Sequence, residues 1–287
     1  MISRFTLQSF ASPTAFDAAD GHAHPDLQFF AFPGGERHVR LPASVGNSPD
    51  RIWTLTAHLY SVDGVMDLLL TTDALRRATK HDAEIHLVMP YVPYARQDRV
   101  ALPGEPLSVS VFCRLVNSLN FASVTIADPH SDVTPALLDR VRIVPAAHYV
   151  QTLLQGALAH LPEVALVAPD VGARKRVELV GKAVKAPVAY ATKTRDPVTG
   201  KLSGAEISGE LPDLPLLIVD DICDGGGTFI ALAEVLRMNT AQPLFLYVTH
   251  GLFTKGLQPL QPWFDGIFTA HCADPALADL TSLTRAA

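Results

Sequence analysis

Eight apolar stretches of strand length recur along the chain, at residues 51–59, 83–91, 123–128, 140–146, 164–170, 186–193, 215–221 and 243–251. Val, Ile and Leu run through them almost without interruption. That pattern belongs to strands covered on both faces, as in a parallel sheet, because a half-exposed strand would alternate apolar with polar residues. Longer amphipathic segments lie between them, at 65–81, 107–120, 149–161, 173–184 and 227–238, and these read as helices. Strand, helix, strand in repetition predicts an α/β fold with right-handed crossovers. The pattern restarts near residue 146. Two doubly wound domains with parallel sheets are therefore expected, over 1–146 and 147–287. In such sheets ligands bind beyond the carboxyl ends of the strands.

Composition limits the partners. Hydrophobic residues make up 48% of the chain and charged residues 18%, enough apolar material for two packed cores. The net charge of −6 carries no basic excess, so neither nucleic acid nor a membrane surface is an expected partner. Anionic substrates must then be met by local cations and backbone dipoles. Cys113, Cys223 and Cys272 follow no metal-binding or disulfide spacing, which fits a reducing compartment. The first twenty residues lack the apolar centre of a secretory signal, and no apolar run reaches the roughly 18 residues needed to cross a bilayer. A cytoplasmic protein is the expectation.

The strongest local signal is LLIVDDICDGGGTFIALAEVL, residues 216–236. An apolar strand runs into Asp220 and Asp221, then Asp224, then Gly225, Gly226, Gly227 and Thr228 at a helix start. Glycines let the backbone turn tightly with its N–H groups aimed inward, and the helix end adds positive potential. That makes an anion cradle suited to a phosphomonoester. Adjacent carboxylates at the strand end suit the vicinal hydroxyls of a ribose. A glycine-rich turn alone has a plain structural explanation; the order strand, acids, glycines, Thr, helix argues against it. No G-x-x-x-x-G-K-[ST] loop occurs.

The 216–236 stretch resembles the phosphoribosyl-pyrophosphate loop of type I phosphoribosyltransferases and of ribose-phosphate pyrophosphokinases. PYVPYARQDR, residues 90–99, resembles the nucleotide-binding segment of the pyrophosphokinases, which the transferases lack. The resemblance covers about residues 25–275 and implies two type I phosphoribosyltransferase-like domains. It implies that Arg96, Gln97, Asp98 and Arg99 bind ATP. AFPGGERHVRL (31–41) is similar to the family's adenine hairpin, which implies ATP contacts for Phe32 and Glu36, with Gly34 standing where the family has an Asp. That hairpin closes over adenine from a neighbouring subunit, so a homo-oligomer is implied. ADPHSD (127–132) matches the family's D-x-H motif, making His130 a contact for Mg–ATP. The i, i+2 spacing of Asp128 and His130 predicts projection to one side of a strand. VAPDVGARKR (167–176) resembles the segment whose acid, here Asp170, holds a second Mg²⁺.

Residues 193–213 carry little core pattern and read as a mobile lid, since so long a connection is unusual. By resemblance Lys193 and Arg195 are its catalytic cations; a solvated charged face is the alternative. The resemblance implies transfer of the β,γ-pyrophosphate of ATP to the 1-hydroxyl of ribose 5-phosphate, with Mg²⁺, in nucleotide biosynthesis. Asp220, Asp221 and Asp224 then face the ribose hydroxyls, and Gly225, Gly226, Gly227 and Thr228 the 5-phosphate. Where the family's loop usually reads D-T-G-G-T, Gly225 leaves room, and an early family segment is replaced by DGHAHPDL. A larger acceptor such as ADP-ribose is therefore an alternative. A non-catalytic regulatory relative is another, disfavoured by the presence of Lys193 and Arg195.

Overall fold

The computed structural model describes residues 3–195 and 202–283. The chain divides between Val144 and Pro145 into two compact units.

The first unit runs β1 (Arg4–Phe10), α1 (Pro13–Asp17), β2 (His22–Ala23), β3 (Gln28–Ala31), β4 (Arg37–Arg40), α2 (Ala43–Asn47), β5 (Ile52–His58), α3 (Val62–Ala78), β6 (Glu84–Val88), α4 (Ser108–Ser118), β7 (Ser123–Ala127), α5 (Val133–Leu137) and β8 (Val141–Val144). Its sheet has the order β2-β1-β5-β6-β7-β8, with β5 to β8 parallel. Leu55, Leu87 and Ile126 from the central strands pack in one core with Leu68 and Leu75 of α3 and Phe112 and Val116 of α4. Ser61 starts α3 by accepting the Gly64 N–H on its hydroxyl. In the last turn of α3, Arg76 donates to the Leu119 carbonyl at 2.7 Å, an anchoring role.

The second unit continues with α6 (Ala146–Gln155), β9 (Ala165–Ala168), α7 (Arg174–Val184), β10 (Val188–Arg195), β11 (Leu202–Ser208), β12 (Leu216–Cys223), α8 (Gly227–Asn239), β13 (Leu244–Gly251), β14 (Gly266–Cys272) and α9 (Pro275–Ala278). The sheet order is β11-β10-β9-β12-β13-β14. Its central strands divide residue by residue between two cores. Ala165, Val167, Leu216 and Ile218 join Phe229, Leu232 and Leu236 of α8. Leu166, Ala168, Leu217 and Val219 join Val150 and Leu153 of α6 and Val177 and Val180 of α7. Period-two side chains buried on both faces explain why these strands lack polar alternation. Each fully buried Leu or Val contributes on the order of 2 kcal/mol.

The α/β class with parallel-containing sheets stands as the sequence predicts. All eight expected strands form, but three further strands of the two sheets pair antiparallel. β1 runs antiparallel to β5 and to β2, and β11 runs antiparallel to β10. The β1 sequence RFTLQSF is only half buried, so it carries polar residues and escapes a search for continuous apolar runs. β11 corrects the reading of residues 193–213 as patternless: Leu202–Ser208 is a strand. Residues 196–201 of that segment lie outside the described residues.

Candidate functional site

At the carboxyl end of β12 the chain turns sharply into α8. Gly226 sits at the helix N-cap with φ +78°, a left-handed conformation that costs an L side chain about 1–2 kcal/mol. A Cβ there would also meet Leu260 Cδ2 at 3.0 Å. Among the three glycines only Gly226 has positive φ. The other two serve space instead. Nothing lies within 4 Å of where a Gly227 Cβ would be, so that side of the helix start is open. A Cβ on Gly225 would touch only the stem of Lys255, at 3.5–4.0 Å. Thr228 follows, partly buried, in the first turn. The N–H groups of a helix start, with open space beside Gly227, suit an anion cradle.

The loop after β13 holds the cradle's approach. Leu252 and Phe253 donate to the Cys223 carbonyl at 2.9 and 3.1 Å, and Thr254 N donates to the Asp224 carbonyl at 3.1 Å. Thr254 Oγ1 also donates to Asp224 Oδ1 at 2.7 Å. Sequence reading missed Thr254, because a Thr thirty residues from its partner carries no local signal.

Asp220 and Asp221 crowd together just before this turn. Arg176 of α7 donates to both, at 3.4 Å to Asp220 Oδ1 and 3.3 Å to Asp221 Oδ1. Asp221 N donates to Asp220 Oδ1 at 3.0 Å. Burial pushes the Asp220 carboxyl well above the ordinary aspartate range; the Asp221 charge pushes it further, and Arg176 pulls partly back. Cys223 below is pushed up to about 12 by burial and the charges of Asp224 and Asp220, so it stays a thiol and packs as core.

Asp170 stands at the end of β9 and accepts the Ala173 N–H at 3.0 Å, bracing the turn that leads into α7. Lys193 and Arg195 occupy the last part of β10, in register with Ala205 and Leu202 of β11. Their side chains lie outside the described residues.

In the first unit the segment after β6 is a turn pinned at two points. Val92 and Ala95 are buried in the core, while Arg96, Gln97 and Arg99 are exposed and Asp98 is partly so. Gln97 N donates to the Tyr94 carbonyl at 2.8 Å, and Tyr94 takes φ +65°. The turn thus presents two arginines and an amide beyond the carboxyl end of β6. The hairpin of β3 and β4 is capped by Phe32 N donating to the Glu36 carbonyl at 2.9 Å, with Phe32 and Glu36 both exposed at its tip. Arg37 grips Asp67 of α3 in a bidentate pair, Nε to Oδ1 at 2.9 Å and Nη2 to Oδ2 at 2.5 Å, which fixes the hairpin.

One expectation needs correction. β7 ends at Ala127, and Asp128 takes φ +36°, so strand alternation does not apply to Asp128 and His130. Asp128 is buried, with its N–H donating to the Val144 carbonyl at 2.9 Å, whereas His130 is exposed.

Residues 21–119 match the model of the N-terminal domain of ribose phosphate pyrophosphokinase. The chain is 32% identical over 222 residues to ribose-phosphate pyrophosphokinase of Mycoplasma pneumoniae, covering 77% of this chain and 66% of that one. It is 31% identical over 238 residues to the Thermococcus kodakarensis enzyme of the same name, covering 80% and 79%. The match thus spans 66% of the Mycoplasma relative's length. The fold is similar to the crystal structure of phosphoribosylpyrophosphate synthetase from Mycobacterium smegmatis, with TM-score 0.69, 24% identity, and coverage of 91% of this chain and 86% of that one. By these likenesses the chain belongs to the ribose-phosphate pyrophosphokinase family.

Proposed function

We propose that the protein transfers the β,γ-pyrophosphate of ATP to the 1-hydroxyl of ribose 5-phosphate, giving phosphoribosyl pyrophosphate and AMP. The observation that carries this reading is the buried acid pair running into an open glycine cradle at a helix start. Gly225, Gly226, Gly227 and Thr228 take the 5-phosphate. Asp220, Asp221 and Asp224 take the ribose hydroxyls, which donate to their oxygens. Arg96, Gln97, Asp98, Arg99 and His130 hold ATP. Phe32 and Glu36 close over adenine from a neighbouring copy, so a homo-oligomer is part of the proposal. The sugar oxygen forms a bond to the β-phosphorus as the bond from that phosphorus to the α-bridging oxygen breaks; the electron pair leaves with AMP and the hydroxyl proton is released. Such transfer needs positioning and charge neutralisation more than covalent catalysis, and Lys193 and Arg195 supply cations to the transferred group.

The donor set fits Mg²⁺. Among the described residues no three His, Cys, Asp or Glu are grouped to enclose a metal by themselves, and Mg²⁺ is usually held by one or two carboxylates completed by water and substrate phosphate. Asp170 would hold it through water and His130 would stand beside its phosphate ligands; when bound, it neutralises charge on the phosphate oxygens. A carboxyl driven upward by burial and by its charged neighbour, as Asp220 is, gains from a nearby cation. No helix among the described residues is long and apolar enough to cross a membrane, and a cytoplasmic setting completes the proposal.

A second reading rests on Gly225. Its open side is bounded only by the flexible stem of Lys255, so a larger 5-substituent such as that of ADP-ribose has a path. Both readings are tested by supplying Mg–ATP with each sugar and measuring AMP release and product mass. AMP with ribose 5-phosphate is expected; AMP with ADP-ribose alone moves the acceptor, and intact ATP with both removes the reaction.

A further inference from the structure

We infer that Lys255 is a specificity-determining residue of the cradle, supplying the cation for the phosphate on C5 of the acceptor ribose. The inference rests on the acceptor site proposed above and deepens it.

Three observations carry it. First, the loop bearing Lys255 is tied to the residues that lead into the cradle. Leu252, Phe253 and Thr254 donate backbone N–H groups to the carbonyls of Cys223 and Asp224, and the Thr254 hydroxyl reaches the Asp224 carboxylate. Gly256 N closes the turn on the Phe253 carbonyl at 2.7 Å. The Lys255 backbone therefore has one place, beside Gly225. Second, its stem lies along the face where Gly225 lacks a side chain: Cγ, Cδ and Cε stand 4.0, 3.6 and 3.5 Å from the position a Cβ would take. The ammonium is one bond beyond Cε. A larger residue at 225 would compete for that space, so the glycine and the lysine go together. Third, Lys255 is exposed and makes no ion pair among the described residues, although Asp224 is tied to its loop, where it binds Thr254.

A cation held at an anion cradle without a protein counter-ion, in a chain of net charge −6, has a phosphate as its natural partner. A flexible ammonium also suits this place better than a fixed hydroxyl, because it can follow a phosphomonoester or the first phosphate of a diphosphate. The shared chemistry is a phosphate on ribose C5.

The test is calorimetric titration of ribose 5-phosphate, and separately of ADP-ribose, into the full chain without nucleotide, using wild type, Lys255→Met and Lys255→Arg. For whichever sugar the wild type binds more tightly, Lys255→Met should weaken binding fivefold or more, while Lys255→Arg stays within threefold. The wild-type affinity should also fall more steeply with added salt than that of Lys255→Met. A loss smaller than fivefold in Lys255→Met, an equal loss in Lys255→Arg, or no binding of either sugar by wild type overturns the assignment. Sugar binding that depends on Lys255 without AMP release on adding Mg–ATP would instead retain Lys255 and refute the proposed reaction.

Discussion

The guanidinium of Arg176 reaches across from α7 to Asp221, 45 residues away, with Nη1 3.3 Å from Oδ1 and the two side chains only 13% and 6% exposed. It also touches Asp220, so one cation serves two acids, Asp221 buried and Asp220 largely so.

Removing that cation should be costly. Breaking a buried pair leaves an uncompensated charge and typically loses about 3–5 kcal/mol. Arg176→Met is expected to destabilise the fold by roughly 3 kcal/mol, since its contacts are at the long end of hydrogen bonding. Adding Asp220→Asn should return part of that loss, because the raised Asp220 pKa marks a charge the fold disfavours at neutral pH. Urea unfolding of the four proteins, without Mg²⁺, measures the coupling; strictly additive losses would mean the residues act independently.

Gly226 and Gly227 should respond differently to the same added methyl. Gly226→Ala forces a left-handed alanine against Leu260 and should cost at least about 1–2 kcal/mol, with weaker binding of the sugar phosphate. Gly227→Ala meets open space and should change stability by less than about 1 kcal/mol. Thermal unfolding of each variant checks the order.

Acid should weaken the first unit through its buried histidines. His86 stacks on Phe16 with centroids 4.4 Å apart, and its Nδ1 lies 2.8 Å from Ser123 Oγ. Burial lowers its pKa below the ordinary 6.5, aided by Arg142 and opposed by Glu84. The unfolded chain then takes up a proton near pH 6.5 that the folded chain refuses until lower pH. Stability therefore falls as pH drops below about 6.5. His24 is lowered too, first by burial, and adds the same trend. Unfolding between pH 7.5 and 5.5 should show the slope, reduced but not abolished in His86→Phe. A slope untouched by the substitution would assign the acid sensitivity elsewhere.

Lys193→Ala should reduce kcat by a factor of about a hundred or more while leaving thermal stability nearly unchanged, the signature of a cation that acts on transition-state charge. Steady-state rates beside a melting curve decide it. Parallel losses of turnover and stability would give Lys193 a structural role.

Much of this protein is readable from its residues alone. The strands β5, β6, β7, β9, β12 and β13 announce themselves because burial on both faces demands largely apolar runs, as in LLIV before Asp220. The acid pair and glycines after that run name their chemistry for a similar local reason: the strand, the turn and the helix start are contiguous. The antiparallel strands β1 and β11 are less legible, since polar residues interrupt their apolar pattern. The left-handed Asp128 could not be foreseen either, because where β7 stops is set by its pairing with β8 and not by the motif.

Sequence order alone determined the α/β class, the family and the site's contiguous parts, because each depends on neighbours along the chain. Tertiary structure decided which distant residues complete the site. Arg176 meets the acids across 45 residues, Thr254 meets Asp224 across 30, and Lys255 lies along Gly225. Those partners are chosen by the order of β9, β12 and β13 in one sheet, which brings the ends of separate segments together. No pattern in the linear chain encodes that adjacency.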